Sequence, residues 1–372
     1  VSLTLSTNTH IIKAFEPDSH PQQKIMPDYS NNFGLQSLTA PAASQANASR
    51  CPTELYDGHN RRIDYLRISV TDRCNLSCVY CGDGRCDNLP HDAILTYEEI
   101  TRVANILAGM GISHIRLTGG EPLVRPKIDV LIRMLKQLNG IDEISMTTNG
   151  TLLERWAVLL EKSGLRRVNV SVDSLKPERF REITRGGDLG RVLTGIETAR
   201  QAGLNPVKVN TVVMPGVNDD EIIDFARWTI DRGANVRFIE QMPFAKGSAS
   251  VTVADMKTAI ETSVGKLEPV REHGSGPANY FRLPLAKGTI GFIQPVSNCF
   301  CDNCNRLRLT ADGKLRLCLL DDSELDLKPM LRSDLTDDEI RQALQWAIMN
   351  KPARHHLSDG IIPEKMMRQI GG

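Results

Sequence analysis

Six short stretches of this 372-residue chain, near 65–71, 112–118, 142–148, 166–172, 207–213 and 235–241, read as strands, and helical segments intervene between them. Several alternate apolar and polar residues one by one, which puts apolar side chains on one face of a strand and polar ones on the other. Leu66, Ile68 and Val70 interleave with Arg67, Ser69 and Thr71; Ile115 and Leu117 with His114, Arg116 and Thr118. Val168, Val170 and Val172 interleave with Asn169, Ser171 and Asp173, while Val207 and Val209 flank Lys208, whose face Asn210 shares. Strands covered on both faces are near-continuous runs of Val, Ile and Leu. This pattern instead predicts a parallel sheet, open or curled into a partial barrel, whose apolar face meets the helices and whose other face lines a polar, partly cationic lumen. An antiparallel sheet with one wet face gives the same alternation, but the intervening helices argue against it. The first helix is legible in detail: Thr96 and Glu99 form a capping box, Ile100, Val103, Ala104 and Leu107 repeat at helical spacing, and Gly109 and Gly111 end it.

The α/β core is expected over 56–265. Beyond it the rhythm changes to strand-like pieces at 280–283, 289–295, 307–310 and 315–319, then a helix over 337–349, which predicts a smaller C-terminal mixed α/β module over 266–372 closing the first. Residues 1–55 are rich in Ser, Ala, Asn, Gln and Pro, with no charge from Asn31 to Ser49, and read as a disordered extension. An organelle-targeting segment is the alternative, although Arg50 is its only arginine; Val1 in place of Met leaves open a start further in, such as Met26.

Lysines and arginines equal aspartates and glutamates at 45 each, so bulk charge argues against nucleic-acid and membrane partners, and an anion site must be built locally. With no bilayer-length apolar run and no basic-then-apolar leader, a cytoplasmic chain is expected. Nine cysteines in such a chain point to metal binding or catalysis rather than disulfides.

Six of the nine fall into two tight groups. Cys74, Cys78 and Cys81 follow the first strand with the spacing C-x3-C-x2-C. Structural zinc wants a fourth ligand, for which Cys86 or His91 is available, whereas three thiolates on one loop suit a [4Fe–4S] cubane with one iron left open. Such an iron is a site where S-adenosylmethionine can chelate. Cys301 and Cys304 form C-x2-C, and Cys318 follows at a distance. A zinc ribbon with Cys299 as fourth ligand is one reading; a second cubane with an open iron is the other.

The first group, with Tyr80 before its last cysteine and Thr118-Gly119-Gly120-Glu121-Pro122 ending the second strand, resembles the signature of the radical S-adenosylmethionine superfamily. There a GGEP-like turn brings backbone to the methionyl amino group, a closeness that two glycines permit. The segment from Phe300 to Cys318 resembles the GTP 3′,8-cyclase family, as do Thr147-Thr148-Asn149-Gly150, the stretch from Gly164 to Asp173, Lys208-Val209-Asn210, Arg237-Phe238-Ile239-Glu240 and the terminal Ile370-Gly371-Gly372. That resemblance covers about residues 60–372.

The resemblance implies a partial (βα)6 TIM-like barrel with a C-terminal module and two [4Fe–4S] clusters facing each other across the lumen. It assigns Cys74, Cys78 and Cys81 to the first cluster and Cys301, Cys304 and Cys318 to the second. Tyr80, Gly120, Ser171 and Met242 match S-adenosylmethionine contacts; Arg67, Arg116, Thr147, Lys208, Arg306 and Arg308 match GTP contacts; Arg306, Arg308, Gly371 and Gly372 match catalytic positions. The implied reaction is an early step of molybdopterin biosynthesis. A 5′-deoxyadenosyl radical takes hydrogen from C3′ of GTP, C3′ attacks C8, and (8S)-3′,8-cyclo-7,8-dihydroguanosine 5′-triphosphate results, with the purine held at the second cluster's open iron. The implied partners are an electron donor such as flavodoxin or ferredoxin, a downstream cyclic pyranopterin monophosphate synthase, and a second copy in a homodimer. Gly82-Asp83-Gly84 and Cys86 depart from the Met-Pro that usually follows the first motif. The rivals are a two-cluster radical enzyme acting on a peptide or protein, and a zinc-stabilised nucleotide-binding protein.

Overall fold

A computed structural model describes residues 54–81, 88–242, 251–271, 276–355 and 367–371. The extension expected over 1–55 lies outside them except for Glu54 and Leu55, as do Gly82-Asp83-Gly84 and Cys86. The six alternating stretches pair in parallel and in chain order: β1 (Tyr65–Ser69), β2 (His114–Thr118), β3 (Glu143–Thr148), β4 (Arg167–Ser171), β5 (Lys208–Val213) and β6 (Asn235–Glu240). Helices α1 (Tyr97–Met110), α2 (Ile128–Lys136), α3 (Leu153–Lys162), α4 (Pro177–Thr184), α5 (Leu189–Gln201) and α6 (Ile222–Asp231) make the crossovers, and α7 (Val253–Ser263) follows β6. Parallel neighbours need such connections, since a tight turn cannot reverse the chain twice.

Packing follows the alternation. Leu66, Ile68, Ile115, Leu117, Val168 and Val170 are fully buried in one continuous apolar core with Ile100, Val103, Ala104 and Leu107 of α1. The Thr96–Glu99 capping box is present. The helix end differs slightly from expectation, because Gly109 lies inside the last turn and only Gly111, at φ 127°, terminates it. Glycine alone takes that conformation without strain.

The chain beyond 265 forms the smaller mixed module, and its strands extend the same sheet. β9 (Ile290–Ile293) pairs in parallel with β6, and β8 (Asn279–Arg282) and β7 (Glu268–Pro269) continue antiparallel from it. On the opposite edge β10 (Arg306–Leu309) pairs in parallel with β1, followed by antiparallel β11 (Lys314–Arg316) and β12 (Glu324–Asp326). After α8 (Lys328–Leu331), α9 covers Asp337–Met349 as expected, and α10 (Met367–Ile370) leads to the tail. The sheet thus holds twelve strands among the described residues. Both parallel edges of the six-stranded core are covered, which removes exposed hydrogen-bonding edges there.

Buried polar clamps fix the β1 edge. Arg61 donates from Nε to Asp57 Oδ2 (2.6 Å), from Nη1 to the carbonyls of Cys301 (2.9 Å) and Ala353 (2.8 Å), and from Nη2 to that of Pro352 (2.8 Å). Lys351, also buried, donates to the carbonyls of Arg306 (3.1 Å) and Leu317. A planar guanidinium serves several acceptors at once, which an ammonium cannot match in the same geometry. Arg61→Ala would leave the Asp57 side chain, 0% exposed, without its cation. A loss of about 3–5 kcal/mol is expected for breaking a buried pair in this way. It should appear as a lower urea midpoint under anaerobic conditions, and an unchanged midpoint would contradict the clamp.

Candidate active site

Register brings the cations together. On adjacent strands Arg308 of β10 is level with Arg67 of β1, which is level with Arg116 of β2; one alternate position earlier, Arg306 is level with Tyr65. Like charges side by side on neighbouring strands repel. These three arginines, with Arg306 and Arg237, line one cavity of about 340 Å3, to which Asp173 contributes the one carboxylate among the described lining residues. Burial, then the charges of Arg308 and Arg116, hold Arg67 well below an arginine's ordinary pKa. Burial and Arg306 bring Arg308 down to about 10, and burial is the main cause that brings Arg237 to about 10. Tyr65 ionises more easily than usual: burial opposes this, but Arg116, Arg67 and Arg306 outweigh it. A wall of this kind attracts a polyanion, and guanidinium forks suit phosphate oxygens.

At one mouth of the cavity lies the first cysteine loop. The Gly119-Gly120 turn presses against it: Gly120 N donates to Thr71 O (2.7 Å) and Glu121 N to Arg73 O (2.8 Å). A Cβ on Gly120 would stand 2.4 Å from the Arg73 oxygen, so only glycine fits. The Glu121 carboxylate is fully buried; burial raises it to about 7 while it accepts from Thr148 Oγ1 (2.7 Å), Asn149 N (2.6 Å) and Leu123 N (3.1 Å). Asn149 turns its oxygen to Thr151 N (3.0 Å) and its amide nitrogen toward Cys74 Sγ (3.8 Å). Tyr80 donates to Asp173 Oδ2 (2.6 Å), and burial pushes Asp173 up to about 6. The Cys78 and Cys81 side chains are hydrogen-bonded to each other. Burial raises Cys74 to about 11, and the Cys81 hydrogen bond followed by burial raises Cys78.

The second cysteine group lies on the β10 side. Cys301, Cys304 and Cys318 all line the cavity, as do Cys299 and His355. Burial raises Cys301 to about 11 and raises Cys318. For Cys304 burial acts upward, yet Lys351 and Arg306 bring the net shift down. Each triad therefore places three thiols on one shared cavity, a number and type of donor that suits a [4Fe–4S] cluster with one iron open.

The C-terminal tail packs against β1, β2 and β10. Thr118 Oγ1 (3.1 Å) and Arg308 Nη1 (3.3 Å) both donate to the Gly371 carbonyl, and Ile370 and Gly371 are buried. At Gly371, with φ 79°, a Cβ would stand 2.6 Å from Ser69 Cβ. Gly372 lies outside the described residues.

Of the residues expected at the site, Tyr80, Gly120, Ser171, Met242, Arg67, Arg116, Thr147, Arg306 and Arg308 all line the cavity. Lys208 is buried, with its ammonium 4.3 Å from the Tyr280 ring centroid and donating to Tyr280 Oη (2.9 Å). The sequence places Asn210 and Asp173 on polar strand faces and Arg237 in a family motif but gives none of them a site role, and it does not single out Tyr65. Those three occupy polar alternate positions or strand ends, so the alternation that marks Arg67 extends to Arg237 as well. Buried Arg237 Nε and Asn210 Oδ1 meet no partner among the described residues, and both belong to the cavity wall. Unmet polar atoms in a lined cavity fit a ligand that supplies both donors and acceptors.

Comparison with known proteins agrees with this geometry. Residues 68–229 match the Radical SAM superfamily, and residues 234–357 match Molybdenum Cofactor Synthesis C. The chain is 49% identical over 325 residues to a GTP 3′,8-cyclase of Pelotomaculum thermopropionicum, covering 86% of this chain and 100% of that one. It is 49% identical over 322 residues to a GTP 3′,8-cyclase of Thermodesulfovibrio yellowstonii, covering 85% and 99%. Among solved structures, Streptococcus suis SuiB bound to S-adenosylmethionine shares the fold, with a TM-score of 0.56 at 15% identity over 78% of this chain and 69% of that one. No helix among the described residues is long and apolar enough to cross a membrane. Identity of this extent across both matched segments settles the relationship: the chain belongs to the GTP 3′,8-cyclase family of molybdenum-cofactor biosynthesis, within the radical S-adenosylmethionine superfamily.

Proposed function

We propose that this chain cyclises GTP between two [4Fe–4S] clusters, the first held by Cys74, Cys78 and Cys81 and the second by Cys301, Cys304 and Cys318. The observation that carries this reading is one cavity lined by both thiol triads and by the arginines between them. Held by Cys74, Cys78 and Cys81 and reduced by an external donor of the flavodoxin or ferredoxin kind, the first cluster with bound S-adenosylmethionine would supply the radical chemistry needed at C3′ of the ribose.

The protein's own residues do the positioning. Gly120 offers backbone to the methionyl end, and Tyr80, Ser171 and Met242 line the space beside it. Arg67, Arg116 and Arg308, with Arg306 and Arg237 nearby, bind the triphosphate, Thr147 borders the same space, and Lys208 acts from its Tyr280 partner. Holding the ribose and base in one approach geometry matters because an oriented intramolecular attack avoids most of the entropic cost of ring closure. Met242, Phe300 and Leu319 contribute apolar wall, which limits water near a reactive intermediate. The Gly371 carbonyl takes one hydrogen bond from Arg308 and so fixes how that guanidinium faces the substrate.

Anaerobic incubation of reconstituted protein with S-adenosylmethionine, reductant and each nucleoside triphosphate tests the reading. Only GTP should give coupled 5′-deoxyadenosine and a cyclised nucleotide. The wild type should carry about eight irons per chain. Cys78→Ala should abolish 5′-deoxyadenosine, whereas Cys318→Ala should keep uncoupled cleavage and lose cyclisation. Efficient cyclisation by the Cys318 variant would reduce the second group to a structural role.

The tail gives a separate expectation. Gly371→Ala, or deletion of Gly371 and Gly372, should leave iron content and thermal stability nearly unchanged while cyclisation falls about tenfold or more, equivalent to about 1.4 kcal/mol in the barrier. Both readouts come from one preparation, and an unaltered rate would return the tail to a packing role.

A further inference from the structure

Cys299 belongs to neither thiol triad, yet it lines the same cavity. Its Sγ, the Cys301 Sγ and a ring nitrogen of His355 all lie within 4.8 Å of one another. His355 Nε2 stands 3.1 Å from the Pro295 carbonyl, the kind of outer partner that orients a ligating histidine. Donors around a tetrahedral zinc are about 3.5–3.8 Å apart, given bond lengths of about 2.0–2.3 Å, so modest side-chain rotation closes this set.

Two further features support a cation here. Cys299 also lines a second, polar recess with Asn60, Arg62, Asn298 and Asp302, so its thiol is reachable from more than one side. The carbonyl of Cys301 is pinned by Arg61, so the backbone that carries the shared thiol is already placed. Two thiolates and an imidazole select thiophilic ions over magnesium or calcium.

We propose that Cys299, Cys301 and His355 form a site for one thiophilic divalent cation of the zinc class, and that this site and the second cluster exclude each other because both take Cys301. On binding, the two thiol protons leave to solvent and no electron is transferred. The exclusion rests on the two-cluster reading above; the cation site does not.

The probe is Co2+, added anaerobically to the full chain before reconstitution. The wild type should bind one equivalent with a tetrahedral, thiolate-type absorption spectrum, and Cys304→Ser should keep it. Cys299→Ser and His355→Ala should each weaken binding at least about tenfold. If Cys304→Ser loses the spectrum while Cys299→Ser keeps it, the cation sits in the cluster triad and the proposal fails. Exclusion is read by iron counting: wild type preloaded with one equivalent of Zn2+ should take up about four irons, and zinc-treated Cys299→Ser about eight. Eight irons in the zinc-preloaded wild type would overturn exclusion. Failure of untreated Cys299→Ser to reach eight would overturn it too, by making Cys299 a cluster ligand. A wild type that never passes four irons without zinc would instead sink the second cluster, and the Co2+ spectra would still judge the cation site.

Discussion

Arginine beside arginine beside arginine, on three adjacent parallel strands, is the arrangement on which the rest of this structure turns. Arg308, Arg67 and Arg116 share one level of the sheet and one cavity. Placing charges in a low-dielectric wall costs free energy, and their mutual repulsion adds to it. A chain with no net charge has gathered five guanidiniums against one carboxylate at this spot. A ligand with several negative oxygens offsets that imbalance, which is what the proposed GTP site supplies.

The row exists because β1 and β10, far apart in sequence, meet. β10 completes it by pairing with β1 across most of the sequence, and the clamps at Arg61 and Lys351 hold that edge by donating to backbone carbonyls around Cys301, Arg306 and Leu317. Those same carbonyls belong to the residues that carry or border the second thiol triad. Stability at the edge and geometry at the second cysteine group are therefore one property. The tail joins the same arrangement, because Gly371 accepts from Arg308 and Thr118 and has no side chain to strike Ser69.

Much of this was legible before any coordinates. Alternation along β1, β2 and β4 named the lumen-facing Arg67, Arg116 and Ser171, and cysteine spacing named both triads, since each depends on local geometry of period two or on a single loop. Arg237, named only within a family motif, follows from the same logic. What the sequence does not show is register between distant segments: nothing local places Arg308 level with Arg67, or sends β9 and β10 to opposite edges of one sheet. The strands after 265 belong to the smaller C-terminal module that the change of rhythm predicts, but separation in sequence says nothing about which open edge each of them will cover. Lys208 illustrates the same gap, as its partner Tyr280 comes from β8, remote in sequence.

The central claim is that a triphosphate answers the arginine row. Binding of GTP, GDP, GMP and guanosine to the reconstituted enzyme, measured anaerobically across a range of salt, tests it most directly. The account predicts affinity falling at each lost phosphate, by roughly tenfold or more where a charge-assisted contact of about 1.5–3 kcal/mol disappears, and a GTP affinity that weakens as salt rises. Guanosine binding as tightly as GTP, with no dependence on salt, would contradict it.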